Sequence, residues 1–565
     1  MAQKPILIRT LSAALLTLSF ASGALALDLR GPRLGGASNF GQGYLPRLQK
    51  KAMSLGILDF RDAVYWDQVE RDDGTFTFDT PETRYPDSLH TGGATMSLTV
   101  NNGHPAYGDW NTPTSADAVN AFARHAATVA ARFPAITAIE VGNEFNSANF
   151  VTGPLKDAGL QARAKAYVAL LKAVWTQSKA TRPDLRIIGG GVHSIPTGYL
   201  SMLLDLGAAE YMDSLAIHPY STPIEQLSRQ ISVLRQLPGL SEMPIEITEF
   251  GSQDEDAAAG VFMRSYCQMA LSGVSRAVWY AVNRRGDGYV PLIEPDHAAT
   301  GAWQAFRFAQ TELAGKTVRD VAPDPFTYAC LFDESKLVIW GMPRALSVIS
   351  DRVAVFDATG TPLTKADLVL SESEPLVLIS SDGFDFETDI SLSSQDVVAD
   401  SYHQFSFPGA GPSDAPVSGF RRFVRSGATE VDLITMPGQG RNGRPWTPWL
   451  GIPGNGDVRL LSKSLLPGGT ASFPDEIVHS FTAPEDLRLD VSSVFTPAAR
   501  SDDGIVATVR LNGDILVQRR GAGALALDLT GLSLAAGAKL EFGVAPGENS
   551  RGDVTDYRIT LRHAR

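Results

Sequence analysis

The sequence predicts a TIM (β/α)8 barrel, followed by a small β-domain and a C-terminal β-sandwich of jelly-roll type. Three observations predict it. Strand-like and helix-like segments alternate from about residue 30 to about residue 315, the pattern of parallel strands joined by helical crossovers. Two of those strands end in a glutamate followed by loop-like sequence, where a barrel presents its chemistry. Near Thr317 the helical period stops, and short strands separated by Asp-, Gly- and Pro-containing turns take over.

Taken in order, residues 1–26 read as a signal peptide. Lys4 and Arg9 form a basic start, Leu11 to Leu18 an apolar stretch, and Ala24-Leu25-Ala26 a small-x-small cleavage site. This predicts a mature start near Leu27 and a secreted or periplasmic protein. No later stretch is long and apolar enough to span a membrane.

The barrel is expected over 27–316. Its strands are a poorly defined first one near Gly35–Gly43, then Gly56–Arg61, Thr95–Val100, Ala138–Val141, Leu185–Gly189, Ser214–Ile217, Pro244–Thr248 and Ala277–Ala281. Ala116 to Arg132 has helical spacing, with Ser115 or Thr114 as N-cap; Leu160 to Ser178 and Ile224 to Leu237 read likewise. A doubly wound sheet is the other reading, but its glycine-rich phosphate turn is missing after strand one, and Gly189-Gly190-Gly191 follows a strand without the spacing and helix start of a phosphate cradle.

The small β-domain is expected over 317–383, with strands Thr327–Leu331, Leu337–Ile339, Val353–Phe356 and Leu376–Ile379. The sandwich is expected over 384–565, with strands Glu476–Phe481, Leu487–Ser492, Gly504–Leu511 and Tyr557–Leu561 and a turn at Asn512-Gly513. Its Pro445-Trp446-Thr447-Pro448-Trp449 run allows two readings, a glycan-binding surface or a buried hinge.

The net charge of −13 disfavours a nucleic-acid surface. Cys267 and Cys330 are the two cysteines; an exported chain permits a bridge between them, and two buried thiols are the other reading. Neither has the neighbourhood of a metal site or a catalytic thiol. No cofactor or metal is called for.

Glu144 closes Ile-Glu-Val-Gly-Asn-Glu (139–144), and Glu249 lies in Ile-Glu-Ile-Thr-Glu-Phe-Gly (245–251). The 105 residues between them span about three βα units, which places them on strands four and seven, facing one mouth. Glycoside hydrolysis needs such a pair: an acid for the leaving oxygen and a carboxylate to attack or to activate water. After strand three, His104, Tyr107 and Trp110 are further candidates at the mouth, the aromatics as stacking surfaces for sugars.

These residues resemble retaining glycoside hydrolases of clan A, and most nearly family 39, with families 5 and 51 as relatives. The resemblance rests on Asn143-Glu144, on Thr248-Glu249-Phe250-Gly251, and on Phe60-Arg61 followed by Trp66-Asp67-Gln68-Val69-Glu70 and Gly74-Thr75-Phe76-Thr77-Phe78. It continues through His218-Pro219-Tyr220 and Trp279-Tyr280, and so covers the barrel nearly end to end. It implies that Glu144 is the acid/base, with a pKa raised by burial and by its negative neighbour. It implies that Glu249 is the nucleophile, kept ionised by Arg61 and by hydrogen bonding, with Tyr220 a candidate donor. Asn143 would donate to the sugar 2-hydroxyl, Trp279 would floor the reacting sugar, and His218 would bond near the acid or the sugar. One departure is Phe145, where the family usually has proline; a ring there would reshape the mouth.

The sequence thus points to an exported retaining β-glycosidase acting on a polysaccharide or oligosaccharide, such as an exopolysaccharide or hemicellulose. The alternatives are an exo-acting β-xylosidase-like enzyme and a non-catalytic glycan-binding or polysaccharide-assembly protein.

Overall fold

The computed structural model describes residues 29–101, 103–410 and 419–564; the expected signal peptide and the start near Leu27 lie outside them. Eight parallel strands close into a barrel in sequence order. They are β1 (Arg33–Ala37), β2 (Asp59–Asp62), β3 (Thr95–Val100), β4 (Ile136–Val141), β5 (Arg186–His193), β6 (Ser214–His218), β7 (Ile245–Phe250) and β8 (Val274–Tyr280). Most are buried along their whole length, which is why they read as apolar runs rather than as alternations.

The helix Ala116–Arg132 starts where its cap predicts: the Ser115 side chain accepts the Ala118 N–H. The segment expected as one helix over Ile224 to Leu237 is instead a 3-10 turn, Ile224–Gln226, and then the helix Leu227–Arg235. Among the described residues no helix is long and apolar enough to cross a membrane.

The barrel interior is not a plain apolar plug. Toward the N-terminal ends of the strands, Arg276 bonds Asp59 at 2.7 and 2.9 Å and reaches Glu246 at 3.4 Å, joining β8 to β2 and β7. A second tier of ion pairs lies at the opposite end and forms part of the site described below.

Beyond the barrel, a six-stranded and a three-stranded sheet enclose a core that includes Leu331, Leu337, Leu346 and Leu378. The C-terminal region is a sandwich of a nine-stranded and a seven-stranded sheet around an apolar core. Its strand Leu487–Pro497 alternates buried and more exposed positions, as a strand with one face on a core must. Asn512 and Gly513 both have positive φ (51° and 97°) and join the hairpin Ile505–Leu511 to Asp514–Gly521, the turn their dipeptide predicts.

The three domains meet on one carboxylate. Glu225, 6 % exposed, accepts from Arg264 of the barrel, from Trp340 Nε1 of the small β-domain at 3.2 Å, and from the Tyr402 hydroxyl of the sandwich. A disulfide between Cys267, on the helix Ala258–Leu271, and Cys330, on the strand Thr327–Phe332, fastens the small β-domain to the barrel. This settles the two readings of the cysteines in favour of the bridge.

Closing a loop with a sequence separation of 63 restricts the unfolded chain by roughly 4 kcal/mol. The Cys267→Ser/Cys330→Ser variant is therefore expected to melt several degrees below the wild type in a calorimetric scan. An unchanged midpoint would show that the bridge contributes nothing.

Candidate active site

Glu144 stands one turn beyond β4 in the left-handed backbone region, with φ of +49°. Such a conformation costs a non-glycine residue of order 1–3 kcal/mol and persists only where neighbours impose it. Here the Glu144 N–H donates to Gly191 O at 2.6 Å, and its carbonyl accepts from Ser147 N at 2.7 Å. The glycine run in β5 makes this approach possible. Gly190 and Gly191 have positive φ at a break in the β5–β6 register, and a Cβ on Gly191 would lie 3.1 Å from Glu140 Oε1. These glycines bend a strand around a carboxylate rather than cradle a phosphate.

Arg61, on β2, organises the other side. Its guanidinium makes two bonds to Glu140 on β4 (2.6 and 3.0 Å), one to Glu249 on β7 (2.6 Å) and one to Asn143 Oδ1 (2.9 Å). Burial works against the cation, but the charges of Glu140 and Glu249 outweigh it and hold the proton more tightly than usual. Glu140 is fully buried and also accepts from Thr248 Oγ1 at 2.9 Å. Burial alone would lift its carboxyl; Arg61 and His218 bring it well below the ordinary range. Glu249 takes a second bond from the Tyr220 hydroxyl, 3.1 Å from Oε2.

Glu144 faces two imidazoles. Its Oε1 lies 3.0 Å from His218 Nδ1 and 3.3 Å from His193 Nδ1. The expected rise in its pKa is not what these surroundings produce. Burial raises it, but the hydrogen bonds and charge of His193 and His218 outweigh burial and bring it to about 2. His218 moves the opposite way. Burial lowers its pKa, yet Glu249, Glu140 and Glu144 lift it to about 9. The proton of the pair therefore resides on His218. Oxygens of Glu144 and Glu249 and a ring nitrogen of His218 lie within 4.8 Å of one another.

A cavity of about 360 Å³ opens beside Glu249, lined from β1, β2, β3, the Asn143 turn, β7 and β8. Because Asn143 Oδ1 accepts from Arg61, its amide N–H groups are left for the cavity. Trp110, half exposed, lies in a second hollow that shares Tyr65, Asn101 and Phe150 with the first.

Three expectations need correction. Trp279 is fully buried, donates to Val290 O and packs on Phe250 and Phe262, so it cannot floor a sugar. Side chains alternate along a strand, and Tyr280, the next residue, lines the cavity instead. His104 is 2 % exposed and caps its own loop against Glu70 O and Trp66, outside the residues lining the cavity. Phe145 is buried against Tyr167 below the mouth and does not reshape it.

Tyr280 enters the sequence reading only through the Trp279-Tyr280 motif, with no role, and Glu140, His193 and Tyr289 are not among its candidates. Glu140 had a readable signal, since a carboxylate inside an apolar strand requires a buried cation, and Arg61 is a cation two strands away on β2. His193 had none, because the glycine run before it obscures the end of β5.

Two measurements probe this network. Arg61→Met leaves Glu140 and Glu249 buried without their cation and should lose about 3–5 kcal/mol in urea unfolding; a loss under 1 kcal/mol would contradict the hub. The raised pKa of His218 adds stability that is complete below its ordinary value of 6.5 and is lost as pH rises through about 9. The stability gap between wild type and His218→Asn should accordingly narrow across that window, and a gap that widened would reverse the assignment of the proton.

No family model and no curated protein matches the chain. Among solved structures it is similar to a family 39 glycoside hydrolase from the gut symbiont Bacteroides cellulosilyticus WH2, at 18% identity over 63% of this chain and 82% of that one, with a TM-score of 0.50. It also matches a family 39 β-xylosidase from Caulobacter crescentus (14% identity, 62% and 96% covered, TM-score 0.45). A third match is a family 39 enzyme from Xanthomonas axonopodis pv. citri (13% identity, 91% and 94% covered, TM-score 0.42). At 18% identity the first of these likenesses is one of fold. With carboxylates at the ends of β4 and β7, the barrel resembles in fold a family 39 glycoside hydrolase of clan A.

Proposed function

We propose that this chain is an exported retaining glycoside hydrolase that cuts O-glycosidic bonds within a polysaccharide or oligosaccharide. One observation carries the reading. The oxygens of Glu144 and Glu249 approach within 4.8 Å across the mouth, and the two carboxylates have different partners, imidazoles on Glu144 and Arg61 with Tyr220 on Glu249. That separation suits a direct attack on the sugar and is too small to seat a water between carboxylate and ring, as an inverting enzyme must.

Glu249, bonded by Arg61 and Tyr220, attacks the anomeric carbon and forms the glycosyl–enzyme ester. Glu144 protonates the departing oxygen. The proton it needs resides on His218, across the 3.0 Å Nδ1···Oε1 bond, and must return to the carboxyl for this step. In the second step Glu144 takes a proton from water, and the resulting hydroxide releases the sugar from Glu249. The ion pair of carboxylate against imidazolium is the form that second step uses. Asn143 directs its amide N–H toward the 2-hydroxyl, where charge develops in the oxocarbenium-like transition state.

The second hollow at Trp110 extends the glycone side past one sugar. It favours an internal bond over the terminal residue that an exo-acting β-xylosidase would remove. The intact pair, with its cation and its imidazoles, disfavours a barrel that only binds glycan.

Incubation with 2-deoxy-2-fluoro glycosides, followed by peptide mass spectrometry, should find the sugar on Glu249. Glu144→Gln should lower turnover of an oligosaccharide by roughly 10²–10⁴-fold. An adduct on another residue, or an undiminished Glu144→Gln enzyme, would remove the assignment.

A further inference from the structure

The C-terminal sandwich reaches into the mouth. The segment 437–449, which follows the strand Ile434–Met436 and ends on the first residue of the strand Trp449–Ile452, crosses to the barrel and is bonded to it at backbone distance. Gly198 N donates to Gly438 O at 2.7 Å, and Gly438 N donates to Thr197 Oγ1 at 2.9 Å. A Cβ on Gly198 would sit 2.5 Å from Gly440 Cα, so the two chains touch where side chains would keep them apart.

The same segment grips the loop that carries Glu144. Gln439 exchanges two bonds with Asn146, Nδ2 to Oε1 at 2.7 Å and Nε2 to the Asn146 carbonyl at 3.0 Å, both residues buried. Asn146 in turn accepts His193 N at 3.0 Å and donates to His193 O at 3.1 Å. The sandwich, the Glu144 loop and the end of β5 thus form one hydrogen-bonded unit.

The two tryptophans of this segment do different things. Trp449 is buried, and its indole donates to Pro437 O at 3.1 Å, which fixes the bend. Trp446 stays partly exposed and meets His193 edge to face at 5.0 Å. His193 touches Glu144 and stacks on Tyr220, which continues through Tyr289 to Tyr280. Trp446 therefore begins an aromatic arc along the β5–β8 rim. The cavity beside Glu249 draws none of its lining from β5, β6 or Trp446, so Trp446 lies outside it and reaches Glu144 by way of His193.

We propose that Trp446 is the platform for the sugar on the leaving-group side of the cleaved bond, so that the sandwich supplies part of the active site rather than a separate glycan module. This rests on the hydrolase reading above. The acid must face the leaving oxygen, and the next surface beyond the acid is Trp446, whose indole suits the apolar face of a pyranose ring. The ligand it implies is a saccharide that continues past the scissile bond.

The test compares two donors on the full-length protein: a panel of β-linked gluco-, manno-, galacto- and xylo-oligosaccharides, and the matching β-glycosyl fluorides. The fluorides leave without a sugar on that side and without help from an acid. Trp446→Ala should lower kcat/KM on the cleaved oligosaccharide about 10- to 100-fold, at least tenfold more than on its fluoride. Trp446→Phe should recover most of the difference. Equal losses on both donors, together with a lower melting temperature, would make Trp446 part of the domain joint only and overturn the proposal. So would an oligosaccharide rate that does not fall. A wild type inert toward every fluoride would instead overturn the hydrolase reading itself, and this inference with it.

Discussion

The guanidinium of Arg61 is the interaction on which the site depends. A planar fork with five donors, buried between β2, β4 and β7, accepts few arrangements of partners. Its two bonds to Glu140 orient the plane, and that plane aims one nitrogen at Glu249 and another at Asn143. Taking these charges out of water costs several kcal/mol each, and only near-complete pairing offsets it. The pairing explains why Glu140, which lines neither of the two hollows described, is needed: it balances the cation from behind so that Glu249 can face forward. The charge count follows. Glu140, Glu144 and Glu249 offer three carboxylates against the two cations Arg61 and His218, and passing the His218 proton to Glu144 relocates charge without changing that sum.

The stability of the barrel and its proposed chemistry therefore draw on the same groups. His218 bonds Thr248 at 2.9 Å, Thr248 bonds Glu140, and Glu140 holds Arg61. A chain of short contacts links the imidazole beside the proposed acid to the cation beside the proposed nucleophile. Such a network has one satisfied arrangement, and each member is costly to leave unpaired. Aromatic rings cover its outer edge and hold much of it away from water, which keeps those electrostatic contacts strong.

Much of this was legible in the sequence, for a physical reason. Strand ends, helix caps and tight turns are local, and local chemistry sets them: Ser115 before its helix, Asn512-Gly513 in its hairpin, the glutamates closing β4 and β7. What escaped was whatever distant segments decide together. Which of Trp279 and Tyr280 faces the cavity depends on the register of β8 against its neighbours, and a one-residue difference exchanges the faces. His104 looked available because its loop is polar, yet that polarity is spent on Glu70 O. The lowered pKa of Glu144 follows from two imidazoles brought from β5 and β6, one of which had no recognisable signal. Trp446 lies some 300 residues from Glu144 in sequence, and no spacing rule reaches across two domains.

Glu225 has a consequence in time as well as in space. A chain made from its N-terminus presents Glu225 and Arg264 long before Trp340 or Tyr402 exists. The barrel can pair that carboxylate with its own arginine, but two of its hydrogen-bond sites wait for donors from domains not yet made. Trp340 fills one and Tyr402 the other, in the order of synthesis. The last domain to appear is also the one that brings Gln439 to Asn146. Completion of the fold and completion of the mouth thus coincide, and the loop that carries Glu144 lacks its partner Gln439 until the C-terminal domain has docked.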